Sequence, residues 1–257
     1  MNIHEAAAKG YERGAAEYEK GRPGYPVDAI DALATACGIE EQTTIVDLGA
    51  GTGKFTRFLL ERTGDVIAVE PVAAMRAAFA DRFPDVTIVD GRAERVPLAD
   101  RSADVVTIAQ AFHWFDAVPA LDEVARLLRP GGWLALIWNT RDVRVPWLAE
   151  INALMDRLAG DAPRFRSTDR SWRRPIDDHP AFGELHDAAF DNVVPGVDLD
   201  VMRARVASTS YVSALPEDER EDVLAAVERI VREGPMQDEG DTFTDRYRTE
   251  LFWCRRN

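Results

Sequence analysis

Residues 44–138 alternate between short apolar runs and amphipathic stretches, and this rhythm constrains the fold more than any other feature. Thr44-Ile45-Val46-Asp47, Val66-Ile67-Ala68-Val69, Val86–Val89, Val105-Val106-Thr107-Ile108 and Trp133–Trp138 read as strands. Each is nearly continuous in apolar residues, so each is expected to be buried on both faces, as in a parallel sheet covered by helices. Between the strands, Phe55, Phe58, Leu59 and Thr63 share one helical face, and Val72–Arg82 reads as a second helix. Leu121, Val124, Leu127 and Leu128 form a stripe on a third, with Asp116 at its start. Arg129-Pro130-Gly131-Gly132 is expected to stop that helix. The expected class is α/β: a Rossmann-like doubly wound sheet, mostly parallel, with one antiparallel strand near the edge.

The flanks are organised differently. His4–Lys20 is expected to be helical, Gly21–Pro26 breaks it, and a second helix runs from Pro26, at its first position, to Cys37. Beyond Asn139, Pro146–Leu158, Asp198–Thr209 and Pro216–Arg232 read as helices, and Glu184–Val194 and Thr242–Arg255 as strands. One domain over 1–257 is expected, with cap helices in 1–37, a ligand-binding core in 40–140, and sheet completion plus a substrate lid in 141–257.

Composition excludes several functions. With 46% apolar residues in 257, the chain can bury a large core, and no run of about 18 apolar residues suggests a membrane span. The net charge of −14 disfavours nucleic acid as a partner. Met1–Lys20 is polar and does not read as a signal peptide, and two cysteines, Cys37 and Cys254, fit a reducing, cytoplasmic setting. A monomer or homodimer is expected. The histidines have no spacing suited to a metal, so none is expected.

Chemistry concentrates after the strands, where parallel sheets bind ligands. Asp47-Leu48-Gly49-Ala50-Gly51-Thr52-Gly53-Lys54 follows the first strand. A phosphate loop would need glycine at Leu48 and a hydroxyl at Phe55, and a dinucleotide loop would need glycine at Lys54. The acid at the strand tip would repel a pyrophosphate and favour a cationic ligand. S-adenosylmethionine carries an ammonium and a sulfonium. Glu70 lies 23 residues after Asp47 at the tip of the second strand, where a carboxylate can accept from both ribose hydroxyls.

On Ile45–Phe58, Ala68–Pro71, Gly91–Glu94 and Leu128–Trp133 the chain resembles the class I S-adenosylmethionine-dependent methyltransferases. Tyr18–Tyr25 and Gln110–Phe115 make it similar to the small-molecule group that contains the trans-aconitate methyltransferase-like enzymes. The resemblance covers roughly residues 11–140. It implies that Gly49 and Gly51 meet the methionine moiety, Asp47 holds the ammonium directly or through water, and Glu70-Pro71 clamps the ribose. Ala93 offers its N–H to the adenine. Many relatives carry Asp where this chain has Arg92, which leaves the adenine amino group to Glu94 or a backbone carbonyl. Gln110 lends a carbonyl near the methionine part, and Tyr18 and Arg22 belong to a segment closing over the ligand, with Arg22 on the methionine carboxylate. The product would be S-adenosylhomocysteine.

His113, after the fourth strand, is the candidate general base; its other reading is a histidine holding the loop. Tyr25, Trp114 and Trp138, with His113, are candidate substrate contacts. Arg164, Arg166, Arg170, Arg173 and Arg174 form either a solvated face or a lid for an anionic substrate. The expected reaction is methyl transfer to a small molecule, with oxygen favoured as acceptor. A nicotinamide-dependent oxidoreductase and a non-catalytic S-adenosylmethionine-binding protein are the alternatives.

Overall fold

A computed structural model describes residues 21–160, 164–165, 169–234 and 242–257. The expected helix His4–Lys20, with Tyr18, and Arg166 lie outside the described residues.

In chain order the main elements are α1 (Val27–Cys37), β1 (Ile45–Leu48), α2 (Thr56–Leu60), β2 (Val66–Val69), α3 (Ala73–Arg82), β3 (Thr87–Val89) and β4 (Ala103–Ala109). They continue with α4 (Ala117–Leu127), β5 (Leu128–Arg141), α5 (Pro146–Ala159), α6 (Arg174–Asp177), β6 (His186–Val197), α7 (Leu199–Ala207), α8 (Ser210–Ser213), α9 (Glu217–Glu233) and β7 (Phe243–Arg255). Among the described residues the strands form a seven-stranded sheet in the order β3-β2-β1-β4-β5-β7-β6. The first four junctions are parallel. β7 runs against β5: Gly131 N donates to Arg256 O, while Asp142, further along β5, donates to Arg246 O, earlier in β7. The expected doubly wound sheet is therefore present, with its reversed strand next to the edge.

The double coverage follows from the strand sequences. Val46, Leu48, Val106, Ile108, Leu134, Leu136 and Trp138 join one buried cluster, with Leu121, Val124 and Leu127 of α4. The alternate residues Ile45, Val105, Ala135 and Ile137 join a second, with Ile30 and Leu33 of α1 and Phe58 and Leu59 of α2. Period-two alternation sends successive side chains to opposite faces, so an unbroken apolar run must be covered twice. Each fully buried aliphatic side chain contributes roughly 1.5–3 kcal/mol relative to exposure.

The chain divides into two compact units. A core unit comprises Gly24–Trp138, Arg164–Phe190 and Thr249–Asn257, and a helical unit comprises the described residues of Met1–Pro23, Asn139–Pro163 and Asp191–Arg248. Within the helical unit, Trp147, Leu148, Ile151 and Met155 of α5 pack with Met202 and Val206 of α7 and Val223, Leu224, Val227 and Val231 of α9.

Several boundaries differ from the expectation. Pro26 is the residue before α1, not its first. β5 starts at Leu128 and includes Arg129-Pro130-Gly131-Gly132, which read locally as a stop. Gly131 adopts φ +79°, and hydrogen bonds to Arg256 on both sides recruit the turn into the sheet. β6 runs past Pro195 to Val197, which an edge strand tolerates because an outward-facing backbone position needs no donor.

Candidate cofactor and active site

The tips of β1, β2, β3 and β4 meet in the core unit. Asp47 is paired in register with Ala68 of β2 and Thr107 of β4, so its side chain shares a face with Thr107. Its carboxylate is wholly buried; Oδ1 accepts from the Thr107 hydroxyl at 3.0 Å and Oδ2 from the Thr56 hydroxyl at 2.6 Å. Asp47 therefore ties β1 to β4 and to the start of α2. Burial pushes its carboxyl up to about 6, with the two threonine bonds opposing. At neutral pH a negative charge still lies beneath the glycine turn.

The turn itself is fixed by backbone bonds. Gly49 N and Ala50 N both donate to Val69 O, at 2.8 and 3.1 Å, and Gly53 N donates to Ala50 O. The glycines serve different ends. At Gly53, φ is +83° and an added Cβ would lie 2.4 Å from Phe83 and 2.9 Å from Phe79, so this glycine lets α3 pack against the turn. At Gly51, φ is +58° and an added Cβ would meet nothing within 4 Å. The chain thus keeps a left-handed, side-chain-free backbone facing open space, as close approach of a ligand requires. At Gly49 the neighbours are Ala111 and Phe115, from the tip of β4.

Glu70 completes this cradle. Its Oε2 accepts from Gly51 N at 3.0 Å and its Oε1 from Val72 N at 2.9 Å, which links the glycine turn to the start of α3. Each carboxylate oxygen retains a second lone pair for a ligand hydroxyl. Burial raises the Glu70 carboxyl, against the lowering effect of those two N–H groups and of Arg76. Arg76 was not expected here: it donates to Glu70 O at 2.9 Å and to Asp90 at 2.9 Å, joining the tips of β2 and β3. Pro71 is exposed beside Glu70, and Met75 is core.

After β3, Arg92 and Arg95 form an isolated bridge that makes Gly91–Arg95 a tight turn, with Ala93 buried inside it. Glu94 Oε1 accepts from Asp116 N at 2.9 Å, so Glu94 anchors the start of α4. After β4, Gln110 adopts φ +59°, and its N–H donates to Ile137 O at 2.9 Å. Left-handed backbone at a non-glycine residue is costly, and such strain concentrates at functional sites. Phe112–Trp114 then forms one 3₁₀ turn. Phe112 is the buried anchor of this turn, a role the sequence did not separate from Trp114 and Phe115, which are only part-buried. His113 is part-buried, with its ring 5.1 Å from that of Trp114 and its Nδ1 shielded from solvent.

The remaining candidates are dispersed. Tyr25 is buried, its ring edge-on to Phe55 at 5.0 Å and Phe58 at 5.9 Å, which makes it a core side chain. Trp138 is buried beneath Phe165, stacked at 4.2 Å, and beside Trp172 and Phe252. Arg22 belongs to the helical unit. In the arginine stretch, Arg173 pairs with Asp177, Arg174 with Asp178, and Arg170 approaches Asp187. Those partners favour the solvated face over the anion-binding lid. Among the described residues no His/Cys/Asp/Glu group is placed to hold a metal, and no helix is long and apolar enough to cross a membrane.

The arrangement can hold a nucleoside through Glu70 and the Gly51 backbone, above a buried negative charge that favours a cationic group. These features fit S-adenosylmethionine.

Comparison with known proteins agrees. Residues 46–136 match the family model described as a methyltransferase domain. An uncharacterised methyltransferase-like protein of Schizosaccharomyces pombe is 36% identical over 95% of this chain and 94% of its own length. An uncharacterised methyltransferase of Mycobacterium tuberculosis is 39% identical over 85% of this chain and 84% of its own. Among solved structures, a candidate type II methyltransferase from Anaeromyxobacter dehalogenans superposes with a TM-score of 0.63, 26% identity, and coverage of 91% of this chain and 97% of that one.

Proposed function

We infer substrate and mechanism from the premise that this chain belongs to the class I S-adenosylmethionine-dependent methyltransferase family. The chain is a methyltransferase; we propose that its acceptor is a small molecule, methylated on oxygen. The observation that carries the donor assignment is the Glu70–Gly51 cradle: a carboxylate already aligned by two backbone N–H groups, facing a position left open by a left-handed glycine. When bound there, the donor supplies a methyl group activated on a sulfonium.

The chain's own contribution is alignment and charge. Glu70 accepts from the ribose hydroxyls, and the Gly49–Gly51 backbone lets the methionine part approach. The buried Asp47 charge acts through its field, because both of its oxygens are already engaged by threonines. Ala93 N–H and the Gly91–Arg95 turn border the adenine. Positioning of this kind supplies about 7–11 kcal/mol of rate enhancement in well-oriented reactions.

His113 follows the strained Gln110 in the core unit, and its Nδ1 is shielded, so Nε2 is the nitrogen that takes the acceptor's proton. The test is transfer of a labelled methyl group from S-adenosylmethionine into a small-metabolite extract, with His113→Ala beside the wild type. A general base predicts a loss of turnover of roughly 10²–10⁴-fold with donor affinity retained. Near-normal turnover of the folded variant would refute the base, and labelling confined to macromolecules would refute the small-molecule acceptor.

A further inference from the structure

In the core unit, α4 fastens the segment that follows β3 at two levels. Glu94 Oε1 accepts from Asp116 N at the start of the helix. About two helical turns further along, Glu123 Oε1 accepts from Val96 N at 2.6 Å. Arg126 grips the same stretch of chain: Nη2 donates to Val96 O at 3.0 Å, and Nη1 donates to Leu98 O at 2.8 Å and to the Asp100 carboxylate at 2.7 Å. Its Nε and Nη2 also donate to Glu123, both at 2.8 Å. With Nε, Nη1 and Nη2 all engaged, the planar guanidinium is fixed in orientation. Arg126 O accepts in turn from Arg101 N at 2.9 Å, where the backbone is left-handed at φ +53°.

This clamp lies beside the donor cradle. Glu70 N donates to Val89 O at 3.2 Å, and Arg76 joins Glu70 O to Asp90, so the chain leaves β3 next to the acid that faces the ribose position. At Gly91 an added Cβ would lie 2.9 Å from Val69, the residue before Glu70, and 2.9 Å from Pro97. The segment is therefore seated against the tip of β2. Ala93 and Val96 are buried in the cluster that contains Leu121 and Val124 of α4. The bond from Arg126 holds the Glu123 carboxyl below the ordinary carboxylate range, so the pair stays ionised at neutral pH.

We propose that Arg126, with Glu123, is a positioning residue for recognition of the donor's base: by fastening Val96 and Leu98 it sets where the Gly91–Arg95 main chain meets the purine. The proposal rests on the reading that this turn borders the adenine. Adenine presents an acceptor at N1 and an amino donor at C6. Hypoxanthine presents the reverse pattern, an N1–H donor and a C6 carbonyl. A fixed main-chain N–H at Ala93 suits the first and opposes the second, because a buried N–H that faces another donor is left without a partner. A turn released from Arg126 relaxes around either base, and its affinity for the matching one falls with the loss of preorganisation.

The experiment is calorimetry on the full chain with S-adenosylhomocysteine and S-inosylhomocysteine, which differ only at that edge of the base, for wild type, Arg126→Gln and Glu123→Gln. Thermal melts establish that each variant is folded. Glu123→Gln keeps an acceptor for Val96 N and is the milder change should Arg126→Gln fail to fold. Wild type is expected to prefer S-adenosylhomocysteine by roughly 10-fold or more. Arg126→Gln is expected to bind S-adenosylhomocysteine roughly 10-fold more weakly and S-inosylhomocysteine nearly as wild type does, which erases most of the preference; Glu123→Gln shifts the ratio the same way by less. Amide exchange in the ligand-free variant is expected to quicken at Val96. A residue that only stabilises the fold lowers the melting temperature and weakens both ligands by the same factor. An unchanged preference in whichever variant folds, against a discriminating wild type, would overturn this proposal and leave the adenine reading standing. A wild type that binds both ligands alike would overturn the adenine reading and this proposal with it.

Discussion

Replacing Asp47 by asparagine is expected to stabilise the protein at neutral pH while weakening its preference for a cationic ligand. Asp47 is wholly buried, and its carboxyl is raised from 3.8 to about 6. At 1.36 kcal/mol per pH unit, that difference amounts to about 3 kcal/mol. The sign follows from proton binding. Below pH 3.8 the group is protonated in both folded and unfolded chains and contributes nothing. Between 3.8 and about 6 the unfolded chain has released the proton and the folded chain has kept it, so stability falls as pH rises. Above about 6 the full cost of a buried charge is present. An amide keeps the shape, accepts from one threonine hydroxyl and donates to the other, without the charge. Asp47→Asn is therefore expected to match wild type near pH 4 and to exceed it by up to about 3 kcal/mol near pH 7.5. Urea unfolding followed by circular dichroism across this range measures the difference, and subtracting the two profiles cancels the other carboxylates. A variant with the wild-type pH slope, or one less stable at neutral pH, would refute the reasoning. Donor affinity supplies the functional half: the variant should lose more affinity for the cationic S-adenosylmethionine than for neutral S-adenosylhomocysteine. An unchanged ratio would mean that the buried charge does not reach the site. A function-linked acid that costs stability is the usual trade at a binding site.

Other perturbations separate ligand space from packing. Gly51→Val places a side chain into open space and is expected to abolish binding of S-adenosylhomocysteine while a cooperative melt survives; normal binding would remove this loop from the site. Gly53→Val drives a side chain into Phe79 and Phe83 and is expected to destabilise the fold itself, seen as a lowered melting temperature without ligand. Glu70→Gln keeps a partner for the ribose but loses the charge and one of the two bonds to Gly51 and Val72. Calorimetry is expected to show a loss of about 1–3 kcal/mol in donor affinity, and unchanged affinity would sink the ribose assignment.

The sequence by itself determined the parallel core and the acidic, glycine-rich turn at its strand tips. Both are written in short-range patterns: unbroken apolar runs demand cover on both faces, and Asp47-x-Gly49-x-Gly51 with Glu70 places an acid and a bare backbone at adjacent strand tips. The strand and helix order after Asn139 was also legible, because α5 and α9 carry apolar stripes at helical spacing. Tertiary structure decided what each side chain does there. That Asp47 is held by Thr107 as well as by Thr56 depends on the register of β1 against β4, sixty residues apart in the chain. Arg129–Gly132 is strand and not turn because β7, more than a hundred residues later, supplies its hydrogen-bond partners. The arginines that local density singled out, Arg170, Arg173 and Arg174, lie beside carboxylates close by in sequence or across the turn into β6. Arg141, unremarkable in the sequence, has its Nε shielded from solvent without a hydrogen-bond partner among the described residues. Periodicity and turn chemistry are local and readable along the chain; charge balance and burial are sums over neighbours that only folding brings together.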